Sequence, residues 1–93
     1  MKKYNYYTFT PLATNHLKDA KRYYKLTKVK GLNTRFSKAI RATIKHILDN
    51  PGVHAIRYNN VRIAYTDRFP YGIHYTVGEM SIIIVAIIYE TRE

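Results

Sequence analysis

The sequence predicts an α+β domain in which a mostly antiparallel, four-stranded sheet packs on a helical hairpin. Three observations carry that expectation. Apolar residues recur at helical spacing from about position 11 to position 49, interrupted at Gly31. After Asn50-Pro51-Gly52 the hydrophobic period changes to two. A short aromatic and β-branched stretch also precedes the first helix. The length of 93 residues suits one domain spanning positions 1–93.

Tyr4–Thr10 reads as the first strand, and Thr10-Pro11 ends it. Threonine is a good helix N-cap, and proline is tolerated at the first helical position. Ala13, Leu17, Ala20 and Tyr24 then mark the buried stripe of a helix over about 11 to 27. Its opposite face carries Lys18, Lys21, Arg22, Lys25 and Lys28, which leaves open phosphate contacts or a solvated face. Gly31 breaks the helix. Phe36, Ile40, Ile44 and Ile47 form the stripe of a second helix from Leu32 to the Asn50-Pro51-Gly52 stop. So short a connection implies an antiparallel hairpin.

Val61, Ile63 and Tyr65 alternate with Arg62, Ala64 and Thr66, the pattern of a half-buried strand. Phe69-Pro70 marks a turn, because proline cannot serve a central ladder. Tyr71, Ile73, Tyr75 and Val77 follow at alternate positions, which aims them at the helices together with Phe69. The last strand, Ser81–Tyr89, is apolar without alternation over Ile82–Ile88. A helical hairpin covers only one face of a sheet. Either every second residue of this strand is exposed, or termini, loops or another chain cover it. Ile82, Ile84, Val85 and Ile87 are therefore candidate partner-binding residues.

Sixteen Lys and Arg against six Asp and Glu give a formal charge of +10. Such an excess favours an acidic partner: RNA, DNA or an acidic protein. The lack of cysteine excludes disulfides and thiolate chemistry. No His or carboxylate spacing suggests a metal site, and no cofactor is expected. The longest apolar run is far shorter than the roughly 20 residues of a membrane span. The basic N-terminus lacks the apolar core of a signal peptide, so a cytoplasmic protein is expected.

Several segments carry a family resemblance. Phe9-Thr10-Pro11-Leu12-Ala13, Leu17-Lys18-Asp19-Ala20 and Tyr23-Tyr24 resemble the opening of ParE-type toxins. Gly31-Leu32, Arg35-Phe36, Ala39-Ile40 and Ile47–Pro51 look like that family's second helix. Val61-Arg62, Arg68–Tyr75, Ile84–Tyr89 and Arg92 match most closely, through an Arg-Phe-Pro-Tyr-x-Ile-x-Tyr pattern. The chain is thus identified as similar to RelE/ParE toxins of plasmid-stabilisation modules, closer to the ParE branch. The resemblance implies a growth-inhibiting toxin in a hetero-oligomer with an acidic antitoxin that packs on the sheet or extends its edge. It implies DNA gyrase as target, or else ribosome-dependent cleavage of mRNA. A degenerate domain that only binds antitoxin is the third alternative.

RNA cleavage through the 2′-hydroxyl requires a base, a cation for the phosphate and an acid for the leaving oxygen. The resemblance to RelE-type nucleases is incomplete on these points. Arg62 matches a second-strand cation and Arg92 the arginine after the last strand. Gly72 stands where the nuclease pattern has an arginine, and the tail residue has no counterpart before Glu93. If the chain cleaves RNA, the candidates are Arg62, Arg68, His74 and Arg92, with His74 expected on the open sheet face beside Arg62. Arg62, Arg68, Tyr89 and Arg92 are the candidates for binding a target or nucleic acid. His16, His46 and His54 are expected to be structural or solvated.

Overall fold

The computed structural model describes residues 2–90. The elements are β1 (Tyr7–Phe9), α1 (Pro11–Leu26), α2 (Leu32–Asp49), β2 (Ile56–Tyr58), β3 (Val61–Tyr65), β4 (Tyr71–Val77) and β5 (Ile82–Tyr89). The sheet order is β1-β5-β4-β3-β2. All pairings are antiparallel except that of β1 with β5. The expected α+β class and helix positions hold, but the sheet has five strands rather than four.

The additional strand is β2. It returns into β3 through Asn59-Asn60, whose φ angles of 40° and 64° place both residues in the left-handed region. Two such residues form the tight turn that matches strand twist in a hairpin, and asparagine tolerates it. The first strand is shorter than Tyr4–Thr10 because Tyr4 serves elsewhere. Its amide donates to Leu48 O at 2.9 Å, and its hydroxyl donates to Gly78 O at 2.7 Å.

The helix boundaries follow from local chemistry. Thr10 Oγ1 accepts from Ala13 N at 3.1 Å, capping α1, with Pro11 in its first turn. Gly31, at φ 77°, makes the left-handed entry to α2. The amide of Asn50 closes α2 on His46 O at 2.9 Å. The buried stripes are Ala13, Ala20 and Tyr24 on α1, and Phe36, Ile40, Ile44 and Ile47 on α2. They meet Ala64, Tyr71, Ile73, Tyr75, Ile82, Ile84 and Ile87 from the sheet. Phe36 sits amid an aromatic group, its ring centroid 4.8 Å from Tyr24, 5.2 Å from Tyr71 and 5.3 Å from Phe69.

A bulge interrupts β5. Tyr75 stands opposite Ile84 and His74 opposite Ala86, so Val85 is an extra residue between them. The bulge resets the alternation: Ile82 and Ile84 face the helices before it, and Ile87 does so after it. Helix α1 receives the displaced backbone. Thr10 Oγ1 donates to Val85 O at 3.1 Å, and His16 Nδ1 accepts from Ile87 N at 3.1 Å. His16 is thus structural.

Two predictions follow from this core. Phe36→Ala should lower the unfolding free energy by about 3–5 kcal/mol, read from urea denaturation; a loss below 1 kcal/mol would contradict the central place of this ring. Burial, reinforced by the neighbouring Tyr71 hydroxyl, pushes the Tyr24 hydroxyl up to about 12 from an ordinary value of 10.0. A folded value above the unfolded one means stability that is whole below pH 10 and lost as pH rises through about 12. Urea midpoints measured from pH 9 to 12 should fall less steeply for Tyr24→Phe than for the wild type.

Candidate functional site

The register decides where the candidate residues point. Arg62 stands opposite Tyr75, whereas Ile63 stands opposite His74. Directly opposed residues share a face and neighbours in sequence do not, so Arg62 and His74 lie on opposite sides of the sheet. The expectation that they share the open face is corrected. Arg62 lies on the helix side, where its Nη1 donates to His54 O at 2.5 Å and Gly52 O at 3.4 Å, tying down the loop before β2.

Arg68 is exposed in the β3–β4 turn, with φ 69° and its Nε 3.9 Å from the Asp67 carboxylate. Tyr89 is 70% exposed and packs edge-on against Tyr71 at 5.5 Å. Arg92 lies outside the described residues. Arg62, Arg68 and His74 therefore do not converge on one phosphate-sized site. Tyr71 and Tyr75 are buried in the core, and Phe69 packs against it, as their alternation predicts.

The candidate partner residues on β5 also need correction. Ile82 and Ile84 are fully buried and Ile87 nearly so, all against the helices. Only Val85 of that set is half-buried, at the bulge. On the face away from the helices, β5 presents Ile83 and Ile88, both half-buried, and buried Ala86. The sequence could not show this, because the single extra residue inverts which positions face the core.

That outer face holds an arrangement absent from the sequence reading. His74 is 5% exposed, and both ring nitrogens are engaged. Its Nδ1 lies 2.8 Å from Tyr58 Oη, and its Nε2 lies 2.8 Å from Glu90 Oε1. A carboxylate only accepts, so Nε2 carries the proton, and in the neutral ring Nδ1 accepts from the Tyr58 hydroxyl. The order is carboxylate, imidazole, hydroxyl. Glu90 is anchored by its own amide, which donates to Pro70 O at 2.8 Å. Gly72 provides the space: a Cβ there would collide with Glu90 Oε1 and press on Ile63. The arginine missing at this position is thus replaced by a seat for a carboxylate. The turn signal Asn59-Asn60 could have revealed β2 and Tyr58; nothing local to Glu90 announces its role.

A third feature is a groove of about 750 Å³ between α2 and the β3–β4 end of the sheet. Its lining includes the small apolar residues Ala39, Ala42 and Ala64, together with Leu32 and Phe69. Arg35, Lys38, His46 and Arg68 also line it, against a single acid, Asp67. Beside it, β2 pairs with β3 only at Val61 and Arg62. The rest of β3 is not shielded by that hairpin. Among the described residues no group of three or more His, Asp or Glu could hold a metal ion. No described helix is long and apolar enough to cross a membrane.

The family model for the ParE toxin of the type II toxin–antitoxin system parDE matches residues 7–93. The chain belongs to the ParE toxin family. A solved structure of a chromosomal ParDE toxin–antitoxin system from P. aeruginosa is similar to this ParE-family chain. The TM-score is 0.77 over 97% of each chain, and the sequences are 18% identical. At that identity the likeness establishes the fold. A search of curated proteins returned no match.

His74→Leu should lower stability by about 1–3 kcal/mol, because it strands the Glu90 carboxylate and removes the acceptor of Tyr58. Gly72→Ala should act in the same direction by displacing Glu90. Urea denaturation checks both; an unchanged midpoint in both variants would mean that the hydrogen-bonded chain contributes nothing to the fold.

Proposed function

We propose that this ParE-family protein is the growth-inhibiting toxin of a cytoplasmic toxin–antitoxin pair, acting on DNA gyrase and neutralised by an acidic antitoxin. The observation that carries the choice of gyrase over RNA cleavage is the dispersal of the candidate cations. A nuclease must gather positive charge at the phosphate it attacks. Here Arg62 is committed to backbone carbonyls on the helix side, Arg68 stands in a solvated turn, and Gly72 seats an acid.

For the antitoxin, the α2–β3 groove is a better candidate than the buried β5 residues. An acidic amphipathic segment could place apolar side chains over Ala39, Ala42 and Ala64 and its carboxylates beside Arg35, Lys38 and Arg68. This reading supports a hetero-oligomer.

A second reading, ribosome-dependent mRNA cleavage, is favoured by one observation. The Tyr58 hydroxyl, in a residue 44% exposed, has a base already in hydrogen-bond contact. Induced expression discriminates the readings. Gyrase–DNA cleavage complexes with intact transcripts are expected soon after induction. Codon-positioned cuts in translated messages, abolished by Tyr58→Phe, would replace gyrase with the second reading. Normal growth of cells making soluble protein would leave only an antitoxin-binding domain. For the groove, Ala42→Glu should weaken antitoxin binding at least tenfold in a titration with the folded variant; unchanged affinity would place the antitoxin elsewhere.

A further inference from the structure

The positive charge of this protein is concentrated at the tip of the helical hairpin. Positions 18–30 contain Lys18, Lys21, Arg22, Lys25, Lys28 and Lys30 against Asp19 alone. Six cations less one acid give +5, half of the chain's formal +10 within 13 positions. All six cations are exposed. Among the described residues the ion pairs are Lys45–Asp49, Arg68–Asp67 and His74–Glu90, so none of the six is neutralised by one.

Their placement on α1 is ordered. At roughly 100° per residue, Lys18, Lys21, Arg22 and Lys25 fall within an arc of about 100°. The buried stripe of Ala13, Ala20 and Tyr24 lies outside that arc. The four charges occupy about 10 Å of helix axis, a density of the same order as the one charge per roughly 1.7 Å of a nucleic-acid duplex. Lys28 and Lys30 extend the ridge past the end of α1.

We propose that this ridge is a binding surface for the phosphate backbone of a nucleic-acid duplex, independent of base sequence. Three features favour that occupant over an acidic polypeptide. A protein partner needs an apolar centre around which to exclude water, and the arc contains none. Exposed Tyr23 and Leu26 lie outside it, and Val29, 55% exposed between Lys28 and Lys30, is one isolated apolar side chain on the ridge's extension. The groove lined by small apolar residues, suited to an acidic peptide, is elsewhere, between α2 and β3. Backbone contacts, by contrast, require only correctly spaced cations and no pocket. The proposal goes beyond the gyrase reading and does not depend on which protein the toxin poisons.

The test is fluorescence anisotropy of a labelled 20-base-pair DNA duplex titrated with the full chain across a salt series. With six phosphates neutralised, the slope of log K against log salt should be about −5, a loss of roughly a thousandfold from 50 to 200 mM salt. Lys21→Gln/Lys25→Gln should make the slope shallower by about 2. Arg41→Gln/Arg57→Gln, which removes the same charge elsewhere, should leave it unchanged; circular dichroism confirms that both variants are folded. An RNA duplex should bind comparably. Equal losses in both variants, or no salt-dependent binding, would overturn the proposal. So would preference for a single strand over either duplex, or displacement by poly-glutamate as effective as by unlabelled duplex of equal charge.

Discussion

The fold depends on burying β5 between two other strands. This segment is apolar at every position from Ile82 to Ile88 and would be costly to leave at an edge. The parallel pairing of β1 on one side and the antiparallel pairing of β4 on the other resolve that constraint. Thr10 joins the parts. Its amide donates to Ile84 O at 3.0 Å, continuing the β1–β5 ladder. Its hydroxyl accepts from the first turn of α1 and donates to the bulged carbonyl of Val85. One residue thus ends a strand, starts a helix and locks the helix to the bulge.

The bulge then determines which side chains are available for function. It keeps Ile87 on the core side and brings Ala86 opposite His74 on the outer face. Continuing outward, Glu90 falls on the same face as His74 and reaches it over Gly72. The helix side is filled by the Phe36 aromatic group, and Arg62 is used there to hold the loop after α2. Three surfaces of different chemistry remain: a basic hairpin tip, a small-residue groove along α2, and a hydrogen-bonded patch on the outer face. An acidic segment in the groove and a nucleic acid at the tip would occupy separate sites.

Much of the fold was legible because it rests on local periodicity and punctuation. The stripes of α1 and α2, the Thr10-Pro11 start and the Asn50-Pro51-Gly52 stop all act over a few residues. The β2 strand is not legible from periodicity because it has only three residues, all exposed, although Asn59-Asn60 marks the turn. The candidate site was less legible. Tyr58, His74 and Glu90 are 16 residues apart in each pair. Their meeting depends on two strand registers at once. The separation of Arg62 and His74 onto opposite faces has the same origin, since it follows from the β3–β4 register and not from either strand alone.

The sequence by itself determined the α+β class, the two helices, their buried stripes and the concentration of charge on α1. These follow from spacing along a chain whose local geometry is regular. It also carried the family, through residues distributed over nearly the whole length. Only the tertiary structure decided that β5 is interior, that Val85 is an extra residue, and that Ile82, Ile84 and Ile87 belong to the core. It also decided that Gly72, first notable for the arginine it lacks, makes room for Glu90. The physical reason is common to these cases: a one-residue shift in register reverses every side chain beyond it, and register is set by pairing between distant strands.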